Sequence, residues 1–405
     1  MKTYDQQNPD TRLPTNNSRS LRRGIGPLIL LTIIFFLNFN ARVVIAPLLP
    51  EIEADLGISH RSAGSLFFMI STGYFIALIG SGWIAARFSH RKAIVLSTVV
   101  LGLAVAFTAF SNSLGSIRLA LFIVGLAAGV YLPSGIATLM DLIEPRQWGR
   151  AIGIHEMAPN LAFVIAPLLC ELLLLWFSWR AVVLCLGGIT ILVGIAYARY
   201  GSAGRVSGTA PGLEAVKLFL AEPAFWIMVL LFGLGISSTL GVYTMMPLYL
   251  VTDHAIERSL ANSVIAVSRI SGLFMALAGG WAADRFGPRI TMTAVFLLTG
   301  TTTIIMGIGT GPLVLAAVFV QPMAAVCFFP AGFAALARIG PPGARNIAVS
   351  LAIPLGFVIG GGAVPLLIGF MGDTVSFAMG FLIVGCCITA GAFPAYLLTL
   401  RDSVR

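Results

Sequence analysis

Long apolar runs broken by short polar turns fill the chain from about residue 25 to residue 400. The runs lack the period-two alternation of a half-buried strand, and each reaches the ~18–20 residues that cross a ~30 Å hydrocarbon core as a helix. The pattern predicts helices over 25–50, 62–86, 93–111, 117–140, 151–175 and 180–199. After a polar stretch from Arg199 to Glu222 come six more, over 225–250, 261–283, 290–309, 313–337, 347–371 and 376–400. The longest internal loop therefore sits in the middle of the chain. The expected layout is a tail (1–24), a six-helix bundle (25–199), a central loop (200–224), a second six-helix bundle (225–400) and a short tail (401–405). A closed β-barrel is excluded, because lipid-spanning strands alternate polar and apolar positions.

The polar turns repeat. Gly280-Trp281-Ala282-Ala283-Asp284-Arg285-Phe286-Gly287-Pro288-Arg289 has an echo 198 positions earlier, Gly82-Trp83-Ile84-Ala85-Ala86-Arg87-Phe88-Ser89-His90-Arg91. Gly129-Val130-Tyr131-Leu132-Pro133 parallels Ala325-Val326-Cys327-Phe328-Phe329-Pro330 at an offset of 197. Arg150 and Pro159 parallel Arg345 and Pro354 at 195. The fold class expected is thus an all-α membrane protein, with twelve transmembrane helices in two pseudo-symmetric six-helix bundles. Gly125, Gly129, Gly272, Ala276 and Gly280 are the small residues expected to let helices approach closely.

Composition agrees: 58% of residues are hydrophobic and 10% charged, too few to give 405 residues a water-soluble surface. The net charge of +9 does not mark a nucleic-acid binder, because the charge is one-sided. Nineteen Lys and Arg fall on one face of the predicted layout; Arg61, Arg118, Arg180 and Arg258 fall on the other. By the positive-inside rule both termini are expected in the cytoplasm, in a multi-pass protein of the cytoplasmic (inner) membrane. The five cysteines lie in apolar runs without metal-ligand spacing and read as core or lipid-facing residues.

With these motifs in hand, the chain resembles the major facilitator superfamily of transporters over essentially its whole length from about residue 25. The family's Gly-x-x-x-Asp-Arg-x-Gly-x-Arg/Lys turn is matched by Gly280, Asp284, Arg285, Gly287 and Arg289. In the first half Gly82, Arg87 and Arg91 match, while Ala86 replaces the acid and Ser89 the glycine. The turns Arg146-Gln147-Trp148-Gly149-Arg150 and Ser178-Trp179-Arg180 are also similar to the family's. The resemblance implies solute transport by alternating access, with the doubled turns acting as gates that latch the bundles in the outward-facing state. Ala158-Pro159-Asn160-Leu161-Ala162-Phe163 resembles the Gly-Pro-x-Leu-Gly-Gly stretch of the family's drug/proton antiporters, with Ala158, Ala162 and Phe163 in place of glycines.

The remaining candidates are ionisable groups inside the spans, where each costs ~2.5–3.5 kcal/mol unless it faces a cavity or partner. Arg42 lies eight residues before Pro50 and Arg269 eight after Ala261, each ~12 Å below the same face at 1.5 Å per residue. Neither is repeated in the other half. Together with Asn38, Tyr243 and Gln321 they are expected to form a positive substrate site; otherwise Arg42 bonds backbone and Arg269 sits in a packing stripe. His155 and Glu156 are the expected proton-coupling pair, or else an inner-gate contact with Arg150. Glu171 is a further polar group along the route. His60, His90 and His254 are placed in loops. No catalytic, metal or cofactor motif is recognised; a Gly-x-x-x-x-Gly-Lys loop for ATP is not found. The expected function is proton-coupled transport of a small organic or inorganic anion by a monomer in the lipid bilayer. The alternatives are a drug/proton antiporter and a non-transporting membrane sensor.

Overall fold

The computed structural model describes residues 20–201, 220–339 and 345–398. Most of the expected central loop and both tails lie outside these residues. Among the described residues twelve helices are long and apolar enough to cross a membrane. They are α1 (Gly24–Leu56), α2 (His60–Phe88), α3 (His90–Thr108), α4 (Leu114–Leu142), α5 (Pro145–Leu174) and α6 (Trp179–Tyr200) in the first half. The second half holds α7 (Pro223–Thr252), α8 (Arg258–Phe286), α9 (Pro288–Ile308), α10 (Pro312–Leu336), α11 (Ser350–Thr374) and α12 (Phe377–Leu397).

Local chemistry sets the ends. Pro223, Pro288 and Pro312 open α7, α9 and α10, where a missing N–H costs nothing. Ser59 caps α2, Ser113 α4 and Ser376 α12 by accepting from backbone N–H groups in the first turn. The first helix runs past the expected stop at Pro50, because Glu51–Leu56 are sound helix formers, and ends at Gly57 in the left-handed conformation. His60 and His90 are the first residues of α2 and α3, not loop residues. Inside the spans, α1 has a turn at Val44, next to the carbonyl of Val43 that Pro47 cannot satisfy. Helices α7 and α11 each contain a π-turn, Ser237–Gly241 and Val358–Ala363, and the two touch: a Cβ on Gly360 would lie 2.4 Å from Ser237 N.

Packing repeats at an interval of six helices. In the first bundle α1 lies on α5, α2 on α4 and α3 on α6; in the second α7 lies on α11, α8 on α10 and α9 on α12. The bundles meet through α1–α7, α2–α11 and α5–α8, which a two-fold exchange of the halves maps onto one another. Gly125 and Gly73 put α4 and α2 backbone on backbone, since added Cβ atoms would lie 2.1 Å from Ile70 O and 2.2 Å from Phe122 O. Gly129 does the same against Tyr74 O at 2.6 Å. Gly272 and Gly280, expected to be packing glycines too, are not: their nearest neighbours are Asn160 Oδ1 and Pro330 Cβ, each 3.9 Å away. At Gly272 α8 faces α5 of the other bundle across a loosening seam, whereas Gly280 faces α10 of its own bundle.

One face is clasped shut. Arg258 of α8 pairs with Glu171 (2.8 Å) and Glu51 (3.2 Å) of the first bundle. Asn262 donates to Glu171 (2.6 Å) and to Pro47 O (3.2 Å). Asp373 of α11 accepts from His60 N and Arg61 N at 2.9 Å, capping α2 across the bundle boundary. On the same face Arg180 and Trp179 both bind Asp55, tying the α5–α6 turn to the end of α1. Glu171 therefore belongs to this latch. The opposite face carries the two repeated basic turns, and there Arg87, Asp284 and Arg285 are all exposed.

Candidate substrate and proton sites

Arg42 and Arg269 are both buried, 5% and 8% exposed, although neither joins an ion pair among the described residues. Aromatic faces hold them instead. Arg42 Cζ lies 4.4 Å from the Tyr74 ring, 4.6 Å from Phe39 and 5.5 Å from Phe357 of the opposite bundle. Arg269 Cζ lies 4.9 Å from Tyr243 and 4.9 Å from Phe163 of the opposite bundle. Phe39 and Phe163 meet edge to face at 5.1 Å, and Phe163 and Tyr243 at 4.7 Å. A continuous row of rings thus connects the two guanidinium groups across the seam. A ring's negative face favours a cation, by ~2 kcal/mol or more when desolvated, but takes up none of its N–H donors. Arg42 Nε and the Tyr243 hydroxyl are buried without hydrogen-bond partners. Beside Arg42 a cavity of about 10 Å³, lined also by Ser71, Tyr74, Leu240 and Phe357, has room for roughly one water.

The other expected contacts are divided. Asn38 donates its amide to Ala128 O at 3.1 Å, a strut between α1 and α4. Gln321 donates to Ser238 O at 2.7 Å beside the π-turn of α7, leaving Oε1 buried and unpartnered. Sequence reasoning missed Phe39, Tyr74, Phe163 and Phe357. Phe39 had a signal, three residues before Arg42 and hence on its helix face. Asn40, fully buried with both amide atoms unpartnered, was also legible as a polar residue inside an apolar run.

His155 and Glu156 sit on α5 with opposite surroundings. His155 is wholly buried, stacked on Phe35 at 4.4 Å, with Nε2 3.0 Å from the Tyr131 hydroxyl and Nδ1 3.3 Å from Glu156 Oε1. The Glu156 side chain is 47% exposed. One turn further Asn160, the residue nearest Gly272 of α8, donates to Glu156 O, so this face of α5 looks into the seam between the bundles. No bond to Arg150 is present among the described residues.

The repeated turns differ in their contacts. Arg91 donates to Ala198 O at the end of α6 (2.6 Å), where a cation suits the helix dipole. Arg289 lies over Tyr396 at 4.6 Å. Gly82 is half-buried, and Gly280 has nothing closer than Pro330. Gly287 turns the chain at φ 86°, and Ser89, its equivalent, adopts φ 73° with the same ψ of 152°.

Comparison with known proteins agrees with this architecture. The "Probable L-galactonate transporter" of Escherichia coli (strain K12) is 22% identical over 428 residues, 98% of this chain and 94% of its own. Multidrug resistance protein MdtL of Klebsiella pneumoniae (strain 342) is 22% identical over 258 residues, 62% of this chain and 66% of its own. Among solved structures, a bacterial homologue of the human lysosomal transporter Spinster, inward-facing and occupied, superposes with a TM-score of 0.80 at 18% identity, covering 94% of this chain and 97% of that one. The Major Facilitator Superfamily profile matches residues 31–281 and again 238–405. Twelve helices in two equivalent bundles, matched profile and repeated turns alike make this chain a member of the Major Facilitator Superfamily of membrane transporters.

Proposed function

We propose that the protein is a proton-coupled secondary transporter of a small organic anion, working as a monomer in the inner membrane with its basic face in the cytoplasm. The observation that carries this reading is the pair of buried guanidinium groups, one from each bundle, held by rings and unmatched by any acid among the described residues. Burying two such charges is costly, and a carboxylate or sulfonate bridging them would satisfy donors that the rings leave free. Because Arg42 and Arg269 come from opposite bundles, the anion would draw the halves together, as alternating access requires. The similarity to a protein named for L-galactonate, a sugar acid, is in keeping. The Glu156 carboxylate, open to the seam and backed by His155, is the group proposed to carry the coupled proton. One-sided Lys and Arg support the orientation.

The test is reconstitution in vesicles with a panel of organic anions chosen by thermal shift. Arg42→Gln and Arg269→Gln should each reduce uptake by more than about tenfold, one charged hydrogen bond being worth ~1.5–3 kcal/mol, in protein that remains monodisperse. Unchanged uptake in both variants would reject the anion site. It would favour export of apolar drugs, the reading that the similarity to MdtL supports.

A further inference from the structure

We propose that Tyr131 is the positioning residue that makes His155 and Glu156 a site for one shared proton. This rests on the coupling role given to Glu156 above. The Tyr131 hydroxyl lies 2.8 Å from the Leu31 carbonyl of α1 and 3.0 Å from His155 Nε2. A carbonyl only accepts, so the single phenolic hydrogen goes to Leu31 O. The second contact then requires His155 to donate from Nε2 to the phenolic oxygen. With Nε2 protonated, a neutral imidazole presents a bare lone pair at Nδ1, and Nδ1 lies 3.3 Å from Glu156 Oε1. Lone pair against carboxylate is repulsive, and one proton between them removes the conflict. Either His155 is an imidazolium facing a carboxylate, or neutral His155 accepts from a protonated Glu156; the proton count is the same in both.

The surroundings fit a holder and a port. His155 is fully enclosed by Phe35 of α1 and Tyr131 of α4, whereas Glu156 is open to the seam, so the proton enters and leaves through the carboxyl group. Other titratable or charged groups among the described residues lie around this pair. Tyr74 of α2 interacts electrostatically with Glu156 and Tyr197 of α6 with Tyr131, and Arg269 of α8 stacks on Phe163 two turns along α5. Tyr74 also holds Arg42, so the proton site borders the anion site. At the repeat offsets of 197 and 195, Tyr131 and Glu156 correspond to Phe328 and Leu351. Neither polar group belongs to the scaffold that the two halves share.

The test reads the imidazole directly. Full-length protein carrying ¹⁵N-histidine in lipid nanodiscs gives separate Nδ1 and Nε2 shifts, and His155→Gln assigns those of His155 among the four histidines. Neutral His155 is expected in the Nε2–H form. Tyr131→Phe keeps the stacked ring but removes the acceptor, so the ratio of Nε2–H to Nδ1–H should fall by about fivefold to tenfold, the worth of one hydrogen bond. Neutral wild-type His155 protonated at Nδ1, or an unchanged ratio in Tyr131→Phe, would overturn the proposal. If the Nε2–H form is found while uptake ignores the proton gradient, the one-proton site stands and the coupling reading falls.

Discussion

At the scale of single residues, the two repeated turns provide an internal control. Ser89 and Gly287 are equivalent and share one backbone conformation, φ 73° and 86° with ψ 152°. Only glycine adopts that region without penalty, and a side chain there costs ~1–3 kcal/mol. Ser89→Gly should therefore raise the thermal-denaturation midpoint, and Gly287→Ser should lower it. A fall in midpoint for Ser89→Gly would show that the serine side chain stabilises the turn by more than its strain. The substitution was visible in the sequence, because glycine at one repeat and serine at the other is a departure from pattern. The aromatic row was not. Phe39 alone had a local signal, its spacing from Arg42; Phe163 and Phe357 are two of 27 phenylalanines, and no local property separates a ring that holds a guanidinium from one that meets lipid. Only the tertiary approach of α1 to α5 and of α2 to α11 makes that distinction.

At the scale of elements, hydropathy made the twelve spans legible, since their length follows from the bilayer's thickness, and the repeat offset made the two halves legible as copies. Which glycines carry the packing was only half legible. Gly125 and Gly129 bring α4 against α2, while Gly272 faces α5 across the seam and Gly280 faces Pro330 of α10, neither in close backbone contact. The difference is measurable. Gly125→Ala puts a methyl group 2.1 Å from Ile70 O and should destabilise the protein by about 1–3 kcal/mol, the cost of overpacking. Gly272→Ala, with 3.9 Å to its nearest neighbour, should leave the melting midpoint close to wild type. Equal losses in the two variants would contradict the assignment of α8 to an open seam. Tyr131 is instructive in the same way. It lies within a repeated stretch of α4 that reads as scaffold, and its hydroxyl gains meaning only through its tertiary partners, Leu31 O on α1 and His155 on α5.

At the scale of the whole molecule, the contacts across the bundle boundary decide which face is open. They run from the latch down to Tyr74–Phe357 and Phe163–Tyr243, while the repeated turns beyond are exposed. Asp284 and Arg285, exposed here, are proposed to make their gating contacts in the opposite state, in which the basic face closes. The latch is modest in strength. Arg258 and Glu171 are 25% and 13% exposed, a partly screened pair, and the Asp373 cap on α2 is worth ~1 kcal/mol as helix caps go. A transporter needs a latch of this size, because a much stronger one would trap a single state. Removing both arms with Arg258→Gln and Asp373→Asn should lower the ratio of closed-face to open-face forms by about tenfold, or ~1.4 kcal/mol. Spin labels on the exposed positions Ala54 and Thr310, one in each bundle, read this as a longer distance component in pulsed-resonance experiments with the native cysteines replaced. Distances unchanged in the double variant would mean that the aromatic row, and not the polar latch, holds this face closed.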